Sequence, residues 1–219
     1  MLLYGDKYWF DDVNRIVAAT EGRYKYTVFT DNPKKLRKDG LYPEVNTVEI
    51  DPDLGTFNKI IMFNHFLEGQ CLYLDLDIVI QKPNLDLFFR GISPYICKTY
   101  WKPDGFEQGG DYNSSVISWS CYNLYSVYEH FMKDPEYYIT KYEGNDDRYL
   151  FFEHENKFYE FENGLIYSYM YGIDHKTDRS PRGRKYRENP SICLLNGQER
   201  FDFDLRADYY THFSNNKMG

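Results

Sequence analysis

The stretch Cys71-Leu72-Tyr73-Leu74-Asp75-Leu76-Asp77-Ile78-Val79-Ile80 decides how the rest of the chain is interpreted. It is an apolar run typical of a buried β-strand, and two carboxylates one residue apart interrupt it. Burying a carboxylate is costly unless a cation, a basic partner or a shared proton compensates. Because ligands of open α/β sheets gather where strands end, Asp75-Leu76-Asp77 is a candidate metal or phosphate site. The competing interpretation is a strand end at which both aspartates face water.

The composition is that of a globular chain with a high aromatic content. The 219 residues suffice for one large domain or two small ones. The 23 tyrosines and 16 phenylalanines suit stacking on sugar or base rings as well as core packing. A formal net charge of −8 disfavours binding to the phosphates of a nucleic acid, so no nucleic-acid partner is expected.

The cysteine pattern and the apolar runs predict an intracellular protein. Cys71, Cys97, Cys121 and Cys193 are widely spaced without a C-x-x-C pair, which favours four reduced thiols. Met1–Asp6 does not begin a signal peptide, and no apolar run is long enough for a transmembrane segment. We therefore expect a cytoplasmic protein.

The first eighty residues alternate between strand and helix patterns. Strands are expected at 1–4, 24–30 and 47–50. A first helix is expected from Phe10, because Phe10, Val13, Ile16 and Val17 recur at helical spacing, and further helices at 34–38 and at 57–67. The Asp75 strand follows the third helix. This alternation predicts an α/β sheet with parallel strands.

The second half of the chain has a less regular pattern. Further strands are expected at 95–97, 116–119, 157–161, 165–169 and 191–195, and a helix at 122–132. Another helix is expected to begin at Gly144–Asp147. Asn113-Ser114-Ser115 reads as a loop that leads into the 116–119 strand, and 174–189 as a polar, basic loop.

Five short motifs carry a family resemblance by occurring in one order. They are Tyr4-Gly5-Asp6-Lys7-Tyr8, Phe29-Thr30-Asp31, Phe57-Asn58-Lys59, Leu72-Tyr73-Leu74-Asp75-Leu76-Asp77 and Asn113-Ser114-Ser115-Val116. A sixth, Gly144–Leu150, is similar to a "G-x-D-Q" helix start with Asp147 in place of glutamine. In this order the motifs resemble nucleotide-sugar glycosyltransferases of the GT-A fold, near the glycogenin-like group and its phage and bacterial relatives.

The resemblance implies a fold class and an activity. The fold would be a single α/β, Rossmann-like GT-A domain over residues 1–219, with a mixed central sheet and the D-x-D at the end of a central strand. About 1–100 would bind the nucleotide and about 101–219 the acceptor. The implied enzyme is a hexosyltransferase that uses an NDP-sugar, with UDP-sugar preferred, and retains the anomeric configuration. A glycan, a lipid-linked molecule or a protein would accept the sugar, in the cytoplasm of a bacterial or virus-infected cell.

The resemblance also implies a donor site. The base would meet Tyr4, Gly5, Asp6 and Tyr8, with Thr30 and Asp31 beside them. Lys59 would face the phosphates or the sugar, and the ribose would meet Asp75 and Leu76. The sugar would lie over Asn113, Ser114 and Ser115, and Lys217 would meet the diphosphate. Ordinary turn chemistry is the alternative for Asp6, Asp31 and the Asn113–Ser115 stretch. For Lys59 the alternative is a solvated helix face.

Asp75 and Asp77 would be metal ligands, because carboxylate oxygens suit Mn²⁺ or Mg²⁺ and such an ion stabilises a leaving diphosphate. The third ligand stays open. His212 is preferred because Thr211–Lys217 resembles a late family H-x-x-G-x-x-K segment, although Asn215 replaces the glycine and Lys217 comes one residue early. The alternative third ligand is Asn196, which precedes Gly197 after a late strand.

Asp146 and Asp147 are the candidate catalytic residues. They would hold the donor sugar or take a proton from the acceptor hydroxyl. The alternative role for Asn145-Asp146-Asp147 is to cap a helix N-terminus.

Two other function classes remain open at this point. Asp75-Leu76-Asp77-Ile78-Val79 also fits the D-x-D-x-[TV] motif of haloacid-dehalogenase-like phosphatases, in which Asp75 would be the nucleophile. That motif usually begins the fold, whereas three strand-like units precede it here. A non-catalytic carbohydrate- or Ca²⁺-binding module is the other class, and turnover would distinguish it from an enzyme.

Overall fold

Ten strands and six α-helices occupy the residues that the structure describes. The structure is a computed structural model, and it describes residues 1–64, 69–102, 110–120, 122–176, 187 and 189–195. The strands are β1 Leu2–Leu3, β2 Tyr26–Thr30, β3 Val45–Glu49, β4 Gln70–Leu74, β5 Ile78–Ile80, β6 Tyr95–Lys98, β7 Tyr112–Ser120, β8 Tyr159–Glu160, β9 Ile166–Ser168 and β10 Ile192–Leu194. The helices are α1 Phe10–Ala19, α2 Pro33–Asp39, α3 Asn58–Ile61, α4 Tyr125–Phe131, α5 Pro135–Lys141 and α6 Asp146–His154.

The first sheet confirms the predicted alternation of strands and helices. Strands β1, β2 and β3 are parallel neighbours in that order. Helix α1 buries Val13, Ile16 and Val17, the positions whose helical spacing predicted it. Helix α2 begins with Pro33, whose fixed φ suits a first helical position, and the Asn32 side chain caps it by accepting from the Lys35 N–H.

The apolar run around the D-x-D forms two strands rather than one, and the D-x-D follows the end of the first. Strand β4 ends at Leu74, a turn holds Asp75, Leu76 and Asp77, and β5 then begins at Ile78. Strand β4 pairs antiparallel with β7 in the order β4-β7-β6-β8, whereas β5 pairs antiparallel with β10 in the order β5-β10-β9. Parallel pairing therefore dominates only the first sheet, and the architecture is mixed α/β as expected for the fold class. The charged pair lies where the chain passes from one sheet to another.

Two elements near the site also differ from the sequence predictions. Asn113, Ser114 and Ser115 lie inside β7 rather than in a loop. Asn113 pairs with Cys97 of β6, the Ser115 carbonyl accepts from the Asp75 N–H, and the β6–β7 register shifts between these two contacts and the next pair. These contacts with distant segments outweigh the turn preference of the small polar residues. The helix expected at 57–67 is α3, only four residues long, after a 3-10 helix at Pro52–Phe57; residues 65–68 lie outside the described residues.

Helix α5 was not predicted from the sequence, although its start carries a readable signal. Asp134 caps the helix by accepting from the Tyr137 N–H, and Pro135 takes the first helical position. With α3, α4 and α6, it contributes to an apolar cluster that also holds Phe57, Ile117 and Trp119. Many of the aromatic rings are thus core residues, for example Phe57, which is stacked on Phe131 at a centroid distance of 5.1 Å.

The cysteine prediction is consistent with the described part of the chain. No disulfide joins Cys71, Cys97 and Cys193 there, and Cys121 lies outside it. Cys71 is half-buried and the other two are buried. In the same part of the chain, no helix has both the length and the apolar character needed to cross a membrane.

A buried polar network ties α4, α5 and α6 together. The imidazoles of His130 and His154 approach to 3.1 Å, the Tyr138 hydroxyl lies 2.7 Å from His130 Nε2, and the Tyr149 hydroxyl lies 3.0 Å from His154 Nε2. Tyr149 donates its proton to the carbonyl of Val127, so its oxygen is left to accept from His154. Burial, aided by the nearby His130, lowers the pKa of His154 to about 4. The network therefore holds His154 neutral.

The neutral His154 predicts a specific loss of stability in acid. In the unfolded chain His154 protonates below about pH 6.5, whereas the folded chain resists protonation until about pH 4. Stability is therefore fully present above the higher value and falls as the pH decreases between the two, by up to ~1.4 kcal/mol per pH unit. We expect His154→Gln to flatten the pH dependence of the melting temperature between these values. His175→Gln, at a half-buried loop position, is the control and should leave the wild-type slope; equal slopes for wild type and His154→Gln would contradict the assignment.

Candidate functional site

The predicted site residues of the middle of the chain meet at one cleft. This cleft has a volume of about 640 Å³. Among its lining residues are Lys59, Asp75, Asp77, Asn113, Ser114, Ser115, Asp146 and Asp147. Another cavity, of about 630 Å³, adjoins the first residues of β2 and β4, and no carboxylate of the described residues lines it. The acidic cleft is therefore the candidate site.

Each residue of the D-x-D turn is anchored by a different part of the fold. The Asp75 N–H bonds to the Ser115 carbonyl at 2.9 Å, which extends the β4–β7 pairing by one residue. Leu76 is buried, and its carbonyl accepts from Arg15 of α1 at 3.1 Å. The Asp77 carbonyl accepts from the Leu195 N–H at 3.0 Å, just after β10. The two carboxylates are thus carried by a turn whose backbone is held on three sides.

Tyr73 supports Asp75 and was missed by the sequence analysis. Its hydroxyl donates to Asp75 Oδ1 at 2.5 Å. Burial and the Asp75 carboxylate raise the pKa of Tyr73 well above its usual value, so the phenol keeps its proton. Residues two apart on a strand share a face, and this spacing is the signal that could have identified the pair.

Lys59 of α3 lies in the floor of the cleft. Its ammonium is 2.7 Å from Ser114 Oγ, 3.3 Å from Asp146 Oδ2 and 3.4 Å from the Asp75 carboxylate. Its side chain is 7% exposed, so the solvated-helix interpretation is wrong. Burial alone lowers the pKa of Lys59, but Asp146, Asp75 and Asp147 outweigh that effect and raise it above its usual range. Lys59 therefore carries a permanent charge inside the protein.

Asp146 and Asp147 begin α6 and both bind Ser114 of β7. The Ser114 hydroxyl donates to Asp146 Oδ2 at 2.6 Å, and its N–H donates to Asp147 Oδ1 at 2.7 Å. The helix cap is Asn145, whose side chain accepts from the Arg148 N–H. Capping therefore explains Asn145 but not the two aspartates, whose side chains are directed to β7.

The carboxyl group of Asp147 has a raised pKa. Burial and then the adjacent Asp146 raise its pKa to about 6, although Lys59 and Ser114 act in the opposite direction. Its side chain is half-buried at the cleft wall. A carboxylate that titrates near neutral pH can exchange a proton with a bound hydroxyl.

The predicted metal ligands are only partly within the described structure. Asp75 and Asp77 line the same cleft and offer hard oxygen atoms, which fit Mn²⁺ or Mg²⁺. Across the described ranges, no group of three or more His, Cys, Asp or Glu side chains is arranged to hold a metal ion. Asn196, His212 and Lys217 lie outside the described residues. The fit is thus supported by two ligands and by the acidity of the cleft.

The predicted base-binding residues are outside the lining of the cleft. The Gly5 N–H donates to Asp31 Oδ2 at 3.2 Å, so the first and second motifs are in contact. Gly5 has φ +62, which suits glycine. Thr30 is fully buried, and its hydroxyl accepts from the Asn32 N–H. Thr30 therefore ends β2 and Asp31 follows it in a bend. Tyr4 and Tyr8 are half-buried, and Asp6 is exposed.

Several cleft residues were not identified from the sequence. They are Thr56, Thr99, Trp101, Lys102, Tyr112, Glu143, Gly144, Asn145 and Tyr171. Thr56 donates to the Gly144 carbonyl at 2.8 Å and joins the segment before α3 to the segment before α6. Gly144 and Asn145 lie in the Gly144–Leu150 motif but were not assigned to the site. No short motif marks the others, because long-range pairing brings them together.

The comparisons with known proteins support the fold. No protein-family model and no curated protein matches the sequence. Two crystal structures of the glycosyltransferase GlyE from Streptococcus pneumoniae TIGR4 are similar over 90% of this chain. Their TM-scores are 0.60 and, for the apo form, 0.56, at 14% and 13% sequence identity. The chain has a glycosyltransferase fold.

The likeness is limited in extent and in what it shows. The chain spans only 55% and 54% of the two GlyE chains. At such low identity the similarity shows the fold alone. The expected glycosyltransferase fold is thereby confirmed, while the GT-A subtype and the glycogenin-like group stay predictions.

The raised pKa of Asp147 predicts that its charge costs stability. The folded chain binds the proton below about pH 6, whereas the unfolded chain releases it down to about pH 3.8. Above the higher value the ionised side chain destabilises the fold by up to ~3 kcal/mol, a penalty that disappears as the pH falls. We expect Asp147→Asn to raise the melting temperature at neutral pH, and the gain to shrink in acid. Asn keeps an oxygen for the Ser114 N–H, and the exposed Asp53→Asn serves as the control. A loss of stability in Asp147→Asn at neutral pH would oppose this assignment.

Proposed function

We propose that the protein is a metal-dependent glycosyltransferase that moves a sugar from an NDP-sugar, with UDP-sugar preferred, to an acceptor hydroxyl. One observation carries the proposal: the Asp75-Leu76-Asp77 turn and the carboxylates of Asp146 and Asp147 line the same cleft. The glycosyltransferase fold of the chain supports it. From the family resemblance of the motifs we also propose the nucleotide donor, the GT-A subtype, the transfer of a hexosyl group and the retention of the anomeric configuration.

Asp75 and Asp77 would hold Mn²⁺ or Mg²⁺. When bound, such an ion supplies Lewis-acid stabilisation to the charge that develops on the leaving diphosphate. The backbone of the turn is fixed by Ser115, Arg15 and Leu195, so both carboxylates are preorganised. We propose His212 as the third ligand, with Asn196 as the alternative; both lie outside the described residues.

The donor nucleotide would bind beside the first sheet. We propose that Tyr4, Asp6 and Tyr8 meet the base. The contact between Gly5 and Asp31 brings their two motifs together, as a shared nucleotide pocket requires. Asp75 with Leu76 would reach the ribose, and Lys217 would meet the diphosphate. Asn113, Ser114 and Ser115 would underlie the sugar as part of β7.

Asp147 would act on the reacting sugar or on the acceptor. Asp146 is already bonded to Lys59 and to Ser114, which suits a structural anchor. Asp147 has a pKa of about 6, so near neutral pH it is mostly ionised and able to accept a proton. The acceptor, a glycan, a lipid-linked molecule or a protein, would meet residues of about 101–219 in a cytoplasmic enzyme.

Nucleotide binding tests the donor site directly. We expect UDP to raise the melting temperature by several degrees with Mn²⁺, and by much less in EDTA, since a ligand stabilises the state that binds it. Asp77→Asn should remove the metal-dependent part of the shift because it weakens a charged ligand. Asp11→Asn, on the exposed start of α1, is the matched control and should keep the full shift.

Nucleotide binding, phosphate release and sugar transfer together distinguish the competing functions. If no nucleoside diphosphate changes the melting temperature with or without Mn²⁺, the donor-site proposal is wrong. Release of phosphate from phosphomonoesters, lost in Asp75→Asn, would favour the phosphatase. Binding of UDP-sugar without transfer or hydrolysis over long incubation would favour a carbohydrate- or Ca²⁺-binding module.

A further inference from the structure

Lys59 has a bonding pattern that does not fit a residue waiting for a phosphate. An ammonium has three N–H donors. Three acceptors surround this one within 3.4 Å: Ser114 Oγ, Asp146 Oδ2 and the Asp75 carboxylate. The Tyr73 ring lies beneath, with its centroid 5.4 Å from the nitrogen. The Lys59 ammonium is therefore bonded to acceptors inside the protein.

The acceptors of Lys59 belong to three different elements. Asp75 follows β4, Ser114 is in β7 and Asp146 begins α6, while Lys59 itself lies in α3. Ser114 accepts from Lys59, so it directs its own proton to Asp146. Asp75 is further fixed by the Tyr73 hydroxyl. One ammonium thus joins the D-x-D turn to the start of the helix that carries Asp147.

We propose that Lys59 is a positioning residue that sets the distance between the D-x-D turn and the Asp146-Asp147 helix start, and that it does not contact the donor phosphates. The role of Lys59 in the reaction rests on the proposed function, whereas its bonds to Asp75, Ser114 and Asp146 do not depend on that function. The D-x-D turn carries the donor side of the cleft and α6 the sugar side, so their separation determines whether the bound groups are aligned. Loss of Lys59 leaves Asp75 and Asp146 repelling each other, and the cleft widens.

Chemical labelling tests the internal bonding without any substrate. The free protein is treated with an amine-acetylating reagent, and modified lysines are identified by peptide mass spectrometry. We expect Lys59 to react at least ~100-fold more slowly than the exposed Lys38, because it is buried and permanently protonated. Adding UDP and Mn²⁺ should not change its rate. Labelling of Lys59 as fast as Lys38, or protection only with nucleotide, would overturn the proposal.

A double-mutant cycle tests the pairing energetically. Lys59→Met leaves buried carboxylates without their cation and should lower the melting temperature strongly, whereas Lys38→Met should not. Removing the partner as well, in Lys59→Met/Asp146→Asn, should recover much of the loss, because replacing both members of a buried pair costs less than removing one. Additive losses would contradict the pairing. The double-mutant cycle needs folded protein but no substrate. If Lys59→Met does not fold, the labelling experiment alone tests the internal bonding of Lys59.

Kinetics and binding then separate positioning from phosphate contact. At saturating Mn²⁺, we expect folded Lys59→Met/Asp146→Asn to lower kcat by at least ~100-fold with a donor KM within a few-fold of wild type. In EDTA, the ratio of UDP to uridine affinity should stay within about twofold of wild type, since a lost phosphate contact would reduce UDP binding selectively. A selective loss of UDP affinity would overturn the proposal. If the wild-type protein binds no nucleotide at all, the proposed function is wrong. The labelling experiment and the double-mutant cycle still test whether Lys59 is bonded inside the protein.

Discussion

A single buried ammonium determines how the cleft is built. Taking Lys59 out of water is costly, and the cost is offset only where acceptors of opposite charge stand close and in good geometry. Asp75, Asp146 and Ser114 supply them within 3.4 Å. Because these acceptors come from separate elements, the ion cluster cannot form until α3, β4, β7 and α6 are packed together. The apolar cluster around Phe57, Ile60, Tyr73 and Tyr149 surrounds those same elements and excludes the water that would otherwise screen the charges.

The interruption of the apolar strand follows from the same constraint. A strand that continued through Asp75 and Asp77 would carry two charges into a sheet interior. Instead the chain leaves the sheet of β4 after Asp75, buries Leu76 against the first core cluster, and enters a second sheet at Ile78. Arg15 and Leu195 bond to the turn carbonyls, so no backbone acceptor at Leu76 or Asp77 is lost. The two aspartates therefore line the cleft while the backbone of the turn keeps its hydrogen bonds.

Much of the fold could be predicted from local pattern, and the parts that could not depend on distant pairing. Val13, Ile16 and Val17 predicted α1 because helical spacing alone defines its buried face. Asn113–Ser115 read as a loop because their strand character comes from distant partners, Cys97 for Asn113 and Asp75 for Ser115, that sequence does not reveal. The sequence singled out Asp75, Asp77, Asp146 and Asp147, and the structure places them at one cleft. The sequence does not reveal what surrounds the nitrogen of Lys59. The pairing of Tyr73 with Asp75 was missed, although their spacing of two residues could have indicated it.

The chemistry of the cleft has a consequence for molecules designed to block it. Four carboxylates line it, from Asp75, Asp77, Asp146 and Asp147, and the Lys59 ammonium beneath them is already engaged. A phosphate mimic that enters without a metal ion would meet repulsion from the floor. A cationic sugar analogue, such as a protonated iminosugar, would instead be attracted to the carboxylates and hydrogen-bonded by them. The acidity of this cleft therefore favours positively charged ligands over anionic ones that bring no metal ion.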